Sequence, residues 1–211
     1  FPDIVAYRVN LAGYQCNFGN LLIELRKPTE ALAWYGRAIA TLEGVLKQVK
    51  TDVTAQQFLR NAHAGRATVF DHLKRSAEAA TDWDKAVELT PEKERAGLRM
   101  GRAGSRVRAG QVDEALKEVD KLVAGADAES LYGAACVYAL AAGTPKLSPD
   151  ARREECARRA VALLQQAVAN GYFNVAHAKQ DSDFDSLRKR EDFQQFMRDW
   201  EKKAKTPPAK P

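Results

Sequence analysis

Residues 64–87, AGRATVFDHLKRSAEAATDWDKAV, contain two apolar stretches that share a regular spacing of small residues. Ala67 is followed 12 positions later by Ala79, and Trp83 comes four positions after that. The same spacing recurs in residues 17–39 and 100–123. One spacing in three separate places predicts a repeated structural unit. The aligned positions are Gly19, Ala31, Tyr35 and Ala38, then Ala67, Ala79, Trp83 and Ala86, then Ala103, Ala115, Val119 and Leu122.

The rest of the chain shows helical periodicity and almost no strand signal. No run of alternating Val, Ile or Thr residues bounded by turns occurs in it. The helical pattern is interrupted at Lys27-Pro28, Thr90-Pro91, Ala109-Gly110 and residues 143–150. Proline and glycine at such points end helices and begin turns. We therefore predict an all-α chain.

The copies resemble the tetratricopeptide repeat, a helix–turn–helix unit of 34 residues with the signature W-x2-L-G-x2-Y, A-x3-F and a late proline. The second copy matches best, with Phe70, Ala79, Trp83, Ala86 and Pro91 at the corresponding places. The resemblance implies a right-handed α-solenoid of about four helical hairpins within residues 1–173. The hairpins are expected at about 3–49, 52–91, 94–125 and 128–171, the fourth being marked by Leu131, Ala135, Tyr138, Ala160 and Ala167.

The first repeat is longer than the standard unit, and its second helix has a thin face. The distance from Ala31 to Ala79 is 48 residues, 14 more than the unit of 34. Fourteen residues add about two turns to each of two antiparallel helices. We expect long helices at about 28–49 and 52–74, with Thr51 or Asp52 capping the second. The small residues should let the paired helices approach closely at Gly19.

The C-terminal part is expected to end the array. Residues 174–204 are strongly amphipathic, and stacked repeats need a distinct terminal unit to cover the last apolar face. Residues 205–211 are rich in proline and lysine and are predicted to be disordered. The hairpins followed by the block DSDFDSLRKREDF, residues 181–193, resemble regions that follow the catalytic domain in some bacterial serine/threonine kinases.

Composition excludes several classes of function. The 33 basic and 28 acidic residues leave a net charge of +5, too small to indicate a nucleic-acid partner. No apolar run is long enough for a membrane span. Three scattered cysteines indicate a reducing compartment, and we expect a cytoplasmic protein.

No motif predicts an enzyme, a cofactor or a metal site. The three histidines, His63, His72 and His177, form no HExxH pattern. The carboxylates of Asp181, Asp183, Asp185 and Asp192 imitate the spacing of a calcium loop, but Ser186 replaces its turn-forming glycine. Capping of short helices is the favoured interpretation of these acids.

Candidate partner-binding residues follow from the resemblance, which implies a concave groove lined by the first helix of each hairpin. Amide side chains there could pair with the backbone of an extended peptide, while three glycines could form the floor of the groove or instead admit a neighbouring helix. Both interpretations of the glycines stay open. The implied groove residues are Asn17, Asn20, Glu24, Asn61, Thr68, His72, Gly97, Gly101, Gly104 and Arg108.

A basic stripe provides an alternative site. Arg95, Arg99, Arg102 and Arg106 follow helical spacing, and the last three stand where the family usually has apolar residues. They could bind phosphate or carboxylate groups of a partner. The favoured alternative is that their stems cover apolar neighbours while their guanidinium groups reach water or acids of the adjacent helix.

The sequence thus predicts a non-catalytic interaction scaffold that binds a peptide or partner protein in the groove. The alternative is a regulatory or dimerisation segment of a larger bacterial signalling enzyme such as a serine/threonine kinase. A homodimer is compatible with that alternative.

Overall fold

The computed structural model describes residues 4–205, and the described part of the chain is all-α, with no strand. This confirms the predicted fold class. Two short 3₁₀ helices, Glu92–Glu94 and Ser182–Leu187, accompany the α-helices. The α-helices are α1 (Val5–Glu24), α2 (Pro28–Gln48), α3 (Val53–His72), α4 (Ser76–Glu88), α5 (Ala96–Ala109), α6 (Val112–Leu122), α7 (Ala128–Gly143), α8 (Asp150–Ala169), α9 (Val175–Gln180) and α10 (Glu191–Lys205).

The chain forms two compact units, Phe1–Ser105 and Arg106–Pro211, and the division falls inside α5. In the first unit, α1 and α2 form one antiparallel hairpin and α3 and α4 form another. The hairpins stack because α3 packs against both α2 and α1, which is the stacking expected of an α-solenoid. The right-handed course of the whole array stays a prediction. The core includes Val9, Ala12, Cys16, Ala38, Ile39, Leu42, Val45, Ala55, Leu59 and Ala62.

The turn that closes the first helix of each of the first three hairpins recurs with the predicted spacing. Arg26, Lys74 and Gly110 have positive φ angles of 58°, 61° and 98°. At each turn the next amide bonds back to the carbonyl five residues earlier, as from Lys27 N to Leu22 O at 2.8 Å. This is the Schellman geometry, in which a left-handed residue ends the helix. The turns lie 48 and 36 residues apart, which agrees with the spacing of the aligned alanines.

The two long helices predicted between Ala31 and Ala79 are also present. Helices α2 and α3 have 21 and 20 residues, whereas α4 has 13 and α6 has 11. The side chain of Asp52 caps α3 by accepting a hydrogen bond from Ala55 N at 2.9 Å. Asp52 is therefore the N-cap, as expected for a short acidic side chain just before a helix.

In each of the first two hairpins, an aromatic residue on the second helix packs against a glycine on the helix that follows. Tyr35 on α2 lies between Gly19 and Gly65, where an added Cβ would be 3.0 Å and 2.6 Å from its ring. Trp83 on α4 lies over Gly101, where a Cβ would be 2.8 Å from Cζ2. Distances this short leave no room for a side chain. The thin face of α2 thus lets the Tyr35 ring contact the backbones of α1 and α3.

This packing predicts opposite effects for two glycines of the same helix. Gly101→Ala should destabilise the first unit by about 1–3 kcal/mol, because the new methyl group forces the Trp83 ring to move. At Gly97 an added Cβ would meet no atom within 4 Å, so Gly97→Ala should instead stabilise by up to about 1 kcal/mol. Urea unfolding of both variants measures the difference. Equal midpoints would contradict a packing role for Gly101.

The second unit contains the predicted capping segment. Helices α7 and α8 form an antiparallel hairpin, and the 3₁₀ helix Ser182–Leu187 packs on α7. Its Phe184 is completely buried, and the hydroxyl of Ser186 donates to Ala139 O at 2.7 Å. On α10, Phe193, Met197 and Trp200 are buried. The segment therefore completes the core of its unit, while a capping role for the whole array stays a prediction.

The chain ends leave two sequence predictions only partly addressed. Lys205 is the last residue of α10, and the remainder of the predicted disordered tail, 206–211, lies outside the described residues. The expected start of the first hairpin at residue 3 also lies outside them. No helix in the described part of the chain is long and apolar enough to cross a membrane.

Candidate functional site

The predicted groove residues of α1 and α3 lie on two neighbouring helices of the first unit. The hydroxyl of Tyr35 reaches the line where these helices meet, because it lies beside Gly65 and donates to Oδ1 of Asn20 at 2.5 Å. Burial is the larger of the causes that raise the pKa of Tyr35 to about 12, so its hydroxyl stays protonated and acts as the donor. Asn20 therefore retains its amide NH₂ group for a partner.

The remaining predicted residues on these two helices are exposed. Asn61, Thr68 and His72 share a face of α3 with Gly65, because their spacing of four, three and four residues follows the helical period. Thr68 donates to Ala64 O at 3.1 Å, and Asn61 accepts from Arg60 Nε at 3.2 Å. Asn17 and Glu24 are exposed on α1. The structure thus presents amide and hydroxyl groups along two adjacent helices.

The three glycines of α5 have different surroundings. Gly97 faces open space, Gly101 is covered by the Trp83 indole, and Gly104 is buried. A continuous open floor would need all three to be accessible. At Gly101 the structure favours the alternative interpretation, in which glycine admits a neighbouring helix.

The predicted basic stripe is engaged in ion pairs in the first unit. Arg95 and Arg99 bind Glu92 at 2.6 Å and 2.8 Å, and Arg102 binds Asp84 at 2.9 Å. Each of these arginine side chains is also at most 27% exposed. These three arginines therefore fit the favoured interpretation of the stripe, in which the guanidinium groups reach nearby acids.

The two arginines at the end of α5 belong to the second unit and are paired there. Arg106 binds Glu118 of α6 at 3.3 Å. Arg108, a predicted groove residue, binds Asp183 at 2.6 Å. The carboxylate beside each guanidinium group offsets its positive charge and so weakens its attraction for a further anion.

A buried polar cluster in the first unit was not predicted. The carboxylate of Asp82 on α4 is held by His63 Nδ1 at 2.8 Å and by Arg66, whose Nε and Nη2 lie at 2.6 Å and 2.7 Å. Asp82 and His63 are both buried. Both oxygens of Asp82 on α4 are bound by side chains of α3, so the cluster joins the two helices. The contact spans 19 residues, and no motif in the sequence marks it.

The acids that imitate a calcium loop have other partners. Asp181 caps the 3₁₀ helix and accepts a hydrogen bond from Tyr132 at 2.7 Å, while Asp185 binds Arg188 at 2.7 Å. Asp183 binds Arg108, and Asp192 binds Arg190 at 2.9 Å. The favoured helix-capping interpretation is confirmed for Asp181.

One thiol lies beside these acids. Cys136 Sγ lies 3.5 Å from Asp181, and ligand atoms of Cys136, Asp181 and Asp183 all lie within 4.8 Å of one another. Burial and the neighbouring carboxylates raise the pKa of the Cys136 thiol, which keeps it protonated. In the described part of the chain the three side chains form a hydrogen-bonded cluster, in which Asp181 also accepts from Tyr132 and Asp183 binds Arg108.

A line of exposed apolar side chains on α1 was also missed. Its members are between 43% and 73% exposed and alternate at spacings of three and four residues. This spacing could have been read from the sequence, where it overlaps the repeat signal. We call this line the α1 seam; it consists of Ile4, Tyr7, Leu11, Tyr14, Phe18, Leu21 and Leu25.

Comparison with known proteins gives matches only among solved structures. No family model matches the chain, and no curated protein matches its sequence. The crystal structure of YrrB, described as a tetratricopeptide repeat protein with an unusual peptide-binding site, is 21% identical, with 79% of this chain and 91% of that chain covered and a TM-score of 0.35. A tetratricopeptide repeat protein from Parabacteroides merdae is 18% identical, with coverage of 80% and 82% and a TM-score of 0.34.

These TM-scores are too low to transfer a repeat arrangement or a binding site, so the site is interpreted from the contacts of this chain. The expected relation to bacterial serine/threonine kinases stays a prediction.

Proposed function

We propose that the chain is a non-catalytic protein-interaction module whose first unit binds an extended peptide along α1 and α3. The observation that carries this proposal is the set of exposed amides on those two adjacent helices, represented by Asn17 and Asn61. The hydroxyl of Tyr35 links the two helices, because it lies beside Gly65 of α3 and donates to Asn20 of α1.

The chemistry of these side chains suits a peptide backbone. An extended segment presents alternating N–H and C=O groups that need partners when they leave water. An asparagine offers both a donor and an acceptor, so it can bind one such pair in a single orientation. Asn20 contributes as a donor, because its oxygen is already bound to Tyr35.

The charges of the chain favour this function over anion binding. The arginines of α5 already bind carboxylates, and Glu24 is the one charged residue, with histidine counted as neutral, among the predicted groove residues of α1 and α3. A cytoplasmic location is part of the proposal, since all three cysteines are free and buried.

The proposal predicts that Asn17→Ala and Asn61→Ala weaken peptide binding without loss of stability. Peptides selected from a displayed random library on the purified chain serve as the probe. Each variant should lower the affinity of a selected peptide by roughly 5- to 150-fold, because truncation leaves a desolvated backbone group unpaired at about 1–3 kcal/mol. Fluorescence anisotropy measures the affinity. The free energy of unfolding should stay within about 0.5 kcal/mol of the parent value, because both residues are exposed.

Gln111→Ala provides the matched control, since it removes an exposed amide from the second unit. It should leave the affinity unchanged. Asn20→Ala is unsuitable as a first test because it also removes the partner of the buried Tyr35 hydroxyl. Failure to select any peptide, or equal affinities for the asparagine variants and the parent chain, would refute the proposed site.

A further inference from the structure

The α1 seam is an unusual surface for a helix at the edge of a folded unit. The opposite side of α1, including Val9, Ala12 and Cys16, is buried in the first unit. Helix α1 is therefore apolar on both sides, a pattern that is typical of helices enclosed by protein. Tyr14 is the most exposed residue of the seam, at 73%. A contiguous apolar surface of this kind usually marks an interaction site.

We propose that the α1 seam is a homodimerisation surface that pairs with the same seam of a second copy of this chain. The seam has the alternating spacing of three and four residues over residues 4–25, which is three heptads. This spacing keeps side chains on one line along a pair of packed helices. A two-fold axis brings the same surface from both copies together, so one self-complementary seam is sufficient to form the interface.

The exposed area of the seam agrees with that of a stable dimer. Its seven side chains have roughly 200 Å² each and are about half exposed, so they offer on the order of 700 Å² per copy. A standard interface buries about 800 Å² per partner. The seam also contains three aromatic residues, Tyr7, Tyr14 and Phe18, a residue class enriched at the centres of interfaces.

The flanks of the seam present little charge to a second copy. Its central part is bordered by the uncharged Asn10, Gln15 and Asn17, while the charges lie toward its ends, at Arg8, Glu24, Arg26 and Lys27. Two copies therefore meet without a block of like charge along the central part of the seam. A strongly charged partner would find no complementary charges along the central flanks.

Sedimentation velocity on the chain at concentrations up to about 100 µM tests the proposal. We expect a species of twice the 23.3 kDa chain mass. Leu11→Glu combined with Tyr14→Glu should raise the dimer dissociation constant by at least about 100-fold, because two charges would be buried at the centre of the interface. Far-UV circular dichroism should be unchanged, since both residues are exposed in one copy. Leu11→Ser with Tyr14→Ser repeats the test without added charge.

Val53→Glu is the matched control, because Val53 is 62% exposed on α3 and lies outside the seam. This variant should dimerise like the parent chain. A monomeric parent chain would overturn the proposal and leave the seam to a different protein. A dimer that survives both double variants, or one that Val53→Glu also disrupts, would overturn it as well. None of these outcomes depends on peptide binding.

Discussion

Asp82→Ala is expected to destabilise the first unit by about 3–5 kcal/mol, the range for removing one member of a buried ion pair. The carboxylate is buried and binds both His63 and Arg66, so its loss leaves two polar side chains without their acceptor. Chemical unfolding at neutral pH measures the cost. Hydrogen exchange should show that amides of α3 and α4 lose protection, because the cluster joins these two helices.

Asp84→Ala is the matched control on the same helix. Asp84 is 48% exposed and binds Arg102 at the surface, so its removal should cost no more than about 1 kcal/mol. A loss for Asp82→Ala as small as that for Asp84→Ala would contradict the structural importance of the buried cluster.

The Asp82 cluster also predicts a pH dependence. Burial opposes ionisation of the Asp82 carboxyl, but hydrogen bonds from Arg66 and His63 outweigh it and hold its pKa below the usual value. A depressed folded-state pKa gives stability that is present above the unfolded pKa, near 3.9, and lost as pH falls through the folded value. The difference in stability between the parent chain and Asp82→Ala should therefore shrink below about pH 4.

Phe184→Ala is expected to have a comparably large effect on the second unit, about 3–5 kcal/mol. Phe184 is fully buried, and its ring centroid lies 5.6 Å from that of Tyr132 and 5.8 Å from that of Phe193. Truncation leaves a cavity between α7 and α10. Unfolding should shift accordingly, and hydrogen exchange should accelerate in α7 and in the 3₁₀ helix Ser182–Leu187.

Phe173→Ala is the control, because Phe173 is 85% exposed in the loop after α8. It should change stability by less than about 0.5 kcal/mol. A small effect of Phe184→Ala would mean that the C-terminal segment is an appendage of its unit rather than part of its core.

The repeat frame could be predicted from sequence because it rests on local features. Small residues at fixed intervals and turn signals at Lys27-Pro28 and Ala109-Gly110 are visible without knowledge of tertiary contacts. The left-handed turn residues Arg26 and Lys74 follow from the same frame, although neither is glycine. Periodicity fixes where helices begin and end, and their length then follows from the spacing of repeats.

The side-chain partners could not be predicted in the same way. Whether Gly101 forms a floor or admits a helix depends on Trp83, which lies on another helix. The bond between Asn20 and Tyr35 turns an apparently accessible amide into one whose oxygen is occupied. Helical periodicity places a residue on a face, but the opposing face comes from a different part of the sequence. The α1 seam could have been found, since its spacing is local.

The contact between an aromatic ring and the glycine of the next helix limits how these repeats can be recombined. The Tyr35 ring packs on Gly65, and the Trp83 ring packs on Gly101. Each contact between successive hairpins therefore needs an aromatic ring from one hairpin and a glycine from the next. A hairpin moved by duplication or by engineering carries the glycine of one such contact and the aromatic ring of another. It will stack in a new place only if the preceding hairpin supplies a ring of suitable size and the following one supplies a bare backbone. The order of the hairpins therefore depends on matched pairs of residues in neighbouring hairpins, not on the sequence of any single repeat.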